Sequence, residues 1–257
     1  MIVYADFGCP RCYLASRRVD ALAAAGVDVG WRAVEQHPRL PVTGRRLDAD
    51  EQAALERALS AVTALLLPGE ELPWKLPATA PNTEAAVAAY AEAYGAGVAD
   101  DVRRLLFCAY WVDGADIGSP EVLRTRLAGS ILRGNSTSDP LRESGFAVSA
   151  SRGPITTGAW RRIRAWRDEW VRLGTGAVPM LVDGDGARPV TGEMALRRLE
   201  KEIIRVGADL HPDLPDPARY PPVRPVPSTP WVTIDQIRAA HTGPRAPRRT
   251  AAPSLTG

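Results

Sequence analysis

Cysteine is scarce in this chain. Three residues, Cys9, Cys12 and Cys108, are too few, and odd in number, for the disulfide framework of a small secreted scaffold. Histidine is equally scarce, at positions 37, 211 and 241, so a four-ligand zinc centre has almost no stock to draw on. Lysine occurs only at 75 and 201; arginine supplies the rest of the basic charge. With 32 basic against 30 acidic residues the formal net charge is +2. A balance so near neutral builds no field that would recruit nucleic acid or an anionic membrane surface. Apolar runs of the ~18 residues needed for a membrane span are absent. The longest, near residues 64–67, runs directly into Pro68-Gly69-Glu70. The opening MIVYADFGCP has no basic leader, long apolar core or small-residue cleavage site, so no secretory signal is expected. The expectation is a cytoplasmic protein with no nucleic-acid and no membrane partner. Composition leaves its oligomeric state, monomer or homodimer, open.

What is present is ordinary globular material: 257 residues, 45% hydrophobic and 24% charged, enough for one large domain or one domain carrying an insertion. Residues 2–7 form a short apolar run rich in β-branched and aromatic side chains, which predicts a strand. A helix is expected from Pro10 to about Ala25, with Gly26 as its stop. In residues 27–34, Val27, Val29, Trp31 and Ala33 alternate onto one face, which predicts a second strand. Strand, helix and strand make a βαβ unit whose strands would run parallel.

The middle of the chain reads as helical. Asp48 and Glu51 suit a capping box before a helix to about Leu67. After a proline-rich loop, Thr83 is a candidate cap for a helix to about Tyr94. Another helix is expected over 99–112, with Val102, Leu105, Leu106 and Ala109 on one stripe. Ser119-Pro120-Glu121 starts a further helix to about Leu132. Residues 156–173 again read as helix, with Trp160, Ile163, Trp166 and Trp170 sharing a buried face and the interleaved arginines lining the other. That pattern makes a nucleic-acid role for the Trp–Arg segment the weaker reading. A strand at 180–183, a turn at Asp183-Gly184-Asp185-Gly186 and a strand to Val190 predict a hairpin. That turn is not a phosphate loop, because no helix follows it directly. Gly192 then precedes a helix to Val206, stopped by Gly207. Residues 208–257 are proline-rich and read as a tail, with one short helix possible over 231–240.

Cys9-Pro10-Arg11-Cys12 falls at the seam between the first strand and its helix. A sulfur at a helix N-terminus faces unpaired N–H groups and the positive end of the macrodipole, both of which favour a thiolate. The Arg11 cation is expected to add to this, so Cys9 becomes the nucleophile and Cys12, one turn on, the resolving thiol. A stabilised thiolate stabilises the reduced form, so the disulfide should be fairly oxidising. The competing reading, a zinc-binding pair, lacks its other ligands. Val178-Pro179 precedes the hairpin; an ordinary trans turn proline is the bland reading, and a cis proline facing the dithiol and pairing with an extended substrate is the one expected here. Asp6 is either a buried acid that tunes proton transfer or a strand-end carboxylate with a backbone partner. His37, in the loop after the second strand, is either near the active site, where thioredoxin-fold loops gather, or a histidine that does no more than hydrogen-bond, the favoured reading; Cys108 is expected to behave as a small buried hydrophobe rather than as a redox partner of Cys9 or Cys12.

Residues 6–14, Asp-Phe-Gly-Cys-Pro-Arg-Cys-Tyr-Leu, resemble the D-x-x-C-P-W-C-Y-L stretch of DsbA-like proteins of the FrnE type, in a superfamily that includes 2-hydroxychromene-2-carboxylate isomerases. Pro81-Asn82-Thr83, with Ala85 and Ala86 behind, resembles that family's helical-insertion segment. So does Leu105-Leu106-Phe107, with Ala109-Tyr110-Trp111 and Asp116-Ile117-Gly118 following. Gly176-Ala177-Val178-Pro179 resembles its cis-proline loop. Arg11 stands where tryptophan is usual, the polar loop 133–155 with Asn135, Ser136, Thr137 and Ser138 departs from the pattern, and the tail after 208 has no counterpart.

The resemblance implies an α/β protein, a thioredoxin fold with a large α-helical insertion. The thioredoxin-like part would comprise residues 1–47 and 150–207, the insertion 48–149 and the proline-rich tail 208–257. It implies a thiol–disulfide oxidoreductase in which Cys9 attacks and Cys12 resolves, with Pro10, Arg11, Val178 and Pro179 touching the substrate, a disulfide-bearing protein or small molecule. No bound cofactor or metal is called for; a low-molecular-weight thiol is the candidate co-substrate. Two other functions remain on this scaffold: a thiol-dependent isomerase of small aromatic or polyketide substrates, and a non-catalytic adaptor or chaperone-like binder.

Overall fold

The first strand, β1 (Ile2–Ala5), buries three of its four side chains, as a strand flanked on both sides must. A computed structural model describes residues 1–134, 147–148, 154–174, 176–184 and 188–212. Helix α1 (Pro10–Ala24) follows β1 at once. It opens with proline at its first position and ends in a turn in which Val27 N–H donates to Leu22 O, while Gly26 takes φ +80°. That turn consumes residues 25–27, so β2 is Gly30–Ala33, shorter than the alternation suggested. β1 and β2 pair in parallel, Val3 opposite Trp31.

The sheet is completed from the far end of the chain. β7 (Met180–Val182) pairs antiparallel with β1, Tyr4 opposite Met180, and β8 (Val190–Thr191) pairs with β7, giving the order β2-β1-β7-β8. The two strands pair as the expected hairpin, but the second begins at Val190 instead of ending there; residues 185–187 of the connection lie outside the described residues. Helix α7 (Glu193–Val206) closes the unit with Gly207 left-handed at its end, and packs against α1.

Between β2 and β7 come α2 (Ala49–Thr63), α3 (Glu84–Gly95), α4 (Ala99–Trp111), α5 (Pro120–Gly134) and α6 (Thr157–Arg172). The Asp48–Glu51 capping box is present in both directions, and α2 stops at Thr63, one turn early. Two features were not read from sequence: the ribbons β3 (Arg45–Arg46) with β4 (Thr79–Ala80), and β5 (Ala147–Val148) with β6 (Pro154–Ile155). The proposed oddities at residues 135–138, and the tail helix at 231–240, lie outside the described residues.

One hydrophobic cluster runs through the strands and the middle helices alike. Phe7, just before the dithiol, meets Tyr90 of α3 and Phe107 of α4 at 5.9 and 5.0 Å between ring centres, and Tyr13 of α1 stacks on Phe107. Trp111 is fully buried and its Nε1–H donates to Phe7 O at 3.1 Å. Three expectations about faces fail in detail. Trp166 and Trp170 are buried but Trp160 is 37% exposed: at about 100° per residue it lies about 120° round the helix from Trp166, and the fully buried Ala159 takes the inward position in the first turn of α6. Cys108 is exposed: it sits on the outer side of α4, between buried Phe107 and Ala109. Thr83 makes no cap bond; Asn82 Oδ1 accepts from Glu84 N–H at 3.0 Å instead.

A buried ion pair joins α1, α7 and the turn after α2. Arg18 donates to both oxygens of Glu70 (3.1 and 2.9 Å), to Leu196 O and to Leu65 O, and Glu70 also accepts from Leu67 N–H. Removing one partner strands a charge in the core. Glu70→Ala should lower unfolding stability by about 3–5 kcal/mol, while Arg18→Met with Glu70→Leu recovers most of the loss. Urea unfolding of the parent and both variants measures this; equal losses for the two would mean that the pair is not what Glu70 supports.

Candidate dithiol site

Antiparallel pairing of Tyr4 with Met180 carries residues 178 and 179 to the end of β1, beside the start of α1. There the Val178–Pro179 peptide bond is cis, and Cys9 Sγ lies 3.8 Å from Val178 O, across 169 positions of sequence. Pro179 O is occupied by Gly192 N–H (2.8 Å), and Ala177 O accepts from Trp170 Nε1–H (3.3 Å), so the loop is held from both sides. Pro10 is half-buried, Arg11 exposed, and Val178 and Pro179 buried.

Cys9 caps α1 with an extended backbone, its carbonyl accepting from Cys12 and Tyr13 N–H. The two sulfurs sit in opposed environments. The Cys12 thiol donates toward Cys9, and the backbone N–H groups of Cys12 and Arg11 face the Cys9 sulfur; together these hold its thiol below the ordinary thiol range, against burial and the Asp6 charge. Cys12 is fully buried, and that burial, with Cys9 beside it, pushes its thiol well up. The expected contribution of the Arg11 guanidinium is a correction: the side chain points to solvent, and it is the Arg11 backbone N–H that favours the thiolate.

Asp6 is buried and has backbone partners. Its carboxylate is buried, 3% exposed, and accepts from Gly8 N–H (2.8 Å), Gln36 N–H (2.6 Å) and Thr83 Oγ1–H (3.1 Å). Burial still raises its pKa above the ordinary carboxylate value, and its charge is felt by both cysteines. Thr83 therefore binds the Asp6 carboxylate from the start of α3, a contact hidden in the sequence because 77 positions separate the two. The Asn82 segment is itself placed by the loop after α4: a Cβ on Gly118 would lie 2.8 Å from Asn82 O, so only glycine allows that approach. The Asn82-Thr83 and Asp116-Ile117-Gly118 segments thus meet.

A pocket of about 320 Å³ opens on Cys9, lined also by Asp6, Pro10, Arg11, His37, Tyr110 and Val178. His37 is exposed and borders it. Beyond the loop 36–40 lies Glu35, which sequence reasoning did not single out; a carboxylate ending a strand carries no motif. Burial, then the charges of Glu84 and Asp6, push its pKa up to about 7, with Arg167 opposing. Among the described residues, no group of three or more His, Cys, Asp or Glu side chains is placed to hold a metal ion, and no helix is long and apolar enough to cross a membrane.

A four-stranded mixed sheet, with a thiol pair at the N-terminus of its first helix facing a cis proline, defines a protein of the thioredoxin-fold class. The sequence model of the DSBA-like thioredoxin domain matches residues 1–129, and the chain belongs to that family. Among solved structures it is similar to a probable DsbA oxidoreductase from Streptomyces coelicolor (19% identity, 84% of this chain and 93% of that one, TM-score 0.56). It is also similar to a 2-hydroxychromene-2-carboxylate isomerase (20% identity, 80% and 96%, TM-score 0.54). A third likeness is to the cytosolic disulfide reductase DsbM from Pseudomonas aeruginosa (16% identity, 80% and 96%, TM-score 0.53). At these identities the likenesses carry the fold. No curated protein matches the chain.

Two outcomes follow from this geometry. In a Cys108→Ser background, iodoacetamide should modify Cys9 with a pH midpoint below that of free cysteine and leave Cys12 untouched until the protein unfolds; mass spectrometry of the labelled peptides reads both, and prompt labelling of Cys12 would contradict the burial argument. Glu35 generates the second. Its folded pKa, about 7, lies above the ordinary 4.5, so its contribution favours the folded state below pH 4.5 and is lost as pH rises through about 7. Glu35→Gln should therefore equal the parent in stability at pH 4 and exceed it at pH 8, by about 1–2 kcal/mol once partial exposure is allowed for. Urea unfolding at the two pH values decides this.

Proposed function

We propose that the protein is a DsbA-like thiol–disulfide oxidoreductase of the FrnE type, working in the cytoplasm on disulfide-bearing proteins or small molecules. The observation that carries this reading is the contrast between the two sulfurs: Cys9 is half-exposed at the helix end, where backbone N–H groups and the Cys12 thiol lower its pKa, and Cys12 is buried behind it, where burial raises its own. Pairs of groups pushed apart in this way divide a mechanism into roles.

Cys9 thiolate attacks one sulfur of the substrate disulfide, and the other sulfur leaves as a thiolate. The mixed disulfide forms where Val178 O and the cis Pro179 face Cys9, so an extended substrate segment pairs with the backbone there, and Pro10 and Arg11 flank it. Cys12 must then lose its proton in a site without direct solvent. Asp6 is the acceptor this reading assigns, since its raised pKa suits a carboxylate that takes up a proton and later releases it. The Cys12 thiolate attacks Cys9 Sγ, the second substrate thiolate departs, and the enzyme holds the disulfide. In a reducing compartment the pair spends its time largely as the dithiol, so net reduction or isomerisation is the favoured direction, with a low-molecular-weight thiol as the recycling co-substrate and no bound cofactor. The thiol-dependent isomerase reading draws support from the pocket of about 320 Å³ beside Cys9, which is large enough for a small aromatic substrate.

Equilibration in thiol buffers, with alkylation as readout, tests the choice. A reversible two-electron couple more oxidising than the about −270 mV of thioredoxin, lost in Cys9→Ser, is the expected result; Cys12→Ser should trap mixed disulfides on Cys9. If no disulfide forms at any poise, the oxidoreductase reading fails and the isomerase leads. An unimpaired cellular role without either cysteine would point to an adaptor.

A further inference from the structure

The pocket at Cys9 has a larger neighbour. A cavity of about 620 Å³ lies on the other side of the loop 36–40, and the two share Gln36, His37, Leu40 and Ala80 as common walls. Three arginines line this second cavity: Arg39 from the loop, Arg45 from β3 and Arg167 from α6; Trp170 forms a further wall. Arg45 is paired with Glu51 at 2.5 Å. Arg39 and Arg167 have no ion-pair partner within 4 Å among the described residues. The opposing charge in the cavity is Glu35.

We propose that this second cavity binds the carboxylates of a small acidic disulfide or thiol, holding it so that its sulfur reaches Cys9 in the adjoining pocket. The inference deepens the oxidoreductase reading and rests on it. A net formal charge of +2 over the whole chain does not concentrate cations here; the fold does, by bringing three arginines from three segments to one concave surface where the field is focused. Together the two cavities match the size of a ligand with a reactive sulfur at one end and anionic groups at the other. Arginine is suited to the task because its planar fork meets a carboxylate through two hydrogen bonds. Glu35 adds a pH response. It faces Arg167, Glu84, Asp6 and the His37 and Arg39 side of the cavity; protonated it can donate to a ligand carboxylate, ionised it repels one. The exchange is balanced with this ligand alone: the Cys9–Cys12 dithiol is oxidised to the disulfide, one acidic disulfide is reduced to two thiols, and the two dithiol protons pass through Asp6 and solvent to the departing thiolates.

The test is single-turnover oxidation of the reduced protein, in a Cys108→Ser background, by three probes: dithiobis(nitrobenzoate), a dianion; dithiodipyridine, neutral; and cystamine, a dication. Each rate is divided by that of a free thiol with the same probe, which removes the probe's own reactivity. At low salt the dianion should be favoured over the neutral disulfide by about tenfold or more, and the preference should shrink at high salt. Arg39→Gln with Arg167→Gln should abolish most of the preference, with the neutral probe reporting that the dithiol itself is intact. The preference should also fall as pH rises through about 7 in the parent and stay level in Glu35→Gln. If the neutral probe reacts at Cys9 but the dianion shows no preference, or keeps it in the double variant, the cavity is not an anion site, and Arg11 becomes the source of any charge selectivity. If none of the probes oxidises Cys9, the oxidoreductase reading itself fails, and this inference with it.

Discussion

A buried carboxylate, that of Asp6, is the junction on which the site depends. An ionised group in the interior is tolerated only where donors surround it, and Asp6 has three, from Gly8, Gln36 and Thr83. Each donor belongs to a different stretch: the turn into the dithiol, the loop after β2, and the start of α3. The carboxylate therefore sets where the first cysteine sits, how the 36–40 loop departs from the sheet and how the middle helices dock. The same loop becomes the wall between the two cavities.

The second constraint is the difference between adjoining ends of one helix turn. Cys9 and Cys12 are three residues apart, yet one faces backbone N–H groups and the cis-proline loop while the other is fully buried. The cluster itself is joint property: Phe7 and Tyr13 from the strand–helix seam, Tyr90, Phe107 and Trp111 from the middle helices. The bond from Trp111 to Phe7 O anchors the seam from below.

Much of this was legible beforehand because it is local. Strand, CxxC and helix follow from period and from Pro10; the Asp48–Glu51 box and Gly207 mark helix ends by chemistry confined to a few residues. The failures are of another kind. Thr83 reads as a cap, and locally it is one choice among several for its hydroxyl; the decision in favour of Asp6 is made by a partner 77 positions away. Arg11 reads as a cation beside a thiol, but adjacency in sequence does not fix where a long side chain points. Cys108 and Trp160 were assigned by helical period, which sorts faces and cannot say how far a face extends beyond its neighbour.

The sequence by itself determined the class of fold and the placing of a cysteine pair at the start of its first helix, since that helix end is built from consecutive residues. Only the tertiary structure decided what surrounds that pair: the Val178 carbonyl on Cys9, the hydroxyl of Thr83 on Asp6, and the arginines of three segments around one cavity. The reason is range. Backbone preferences and helix ends act over a few residues, whereas a pocket is a meeting of segments whose approach is settled by the burial of the whole core.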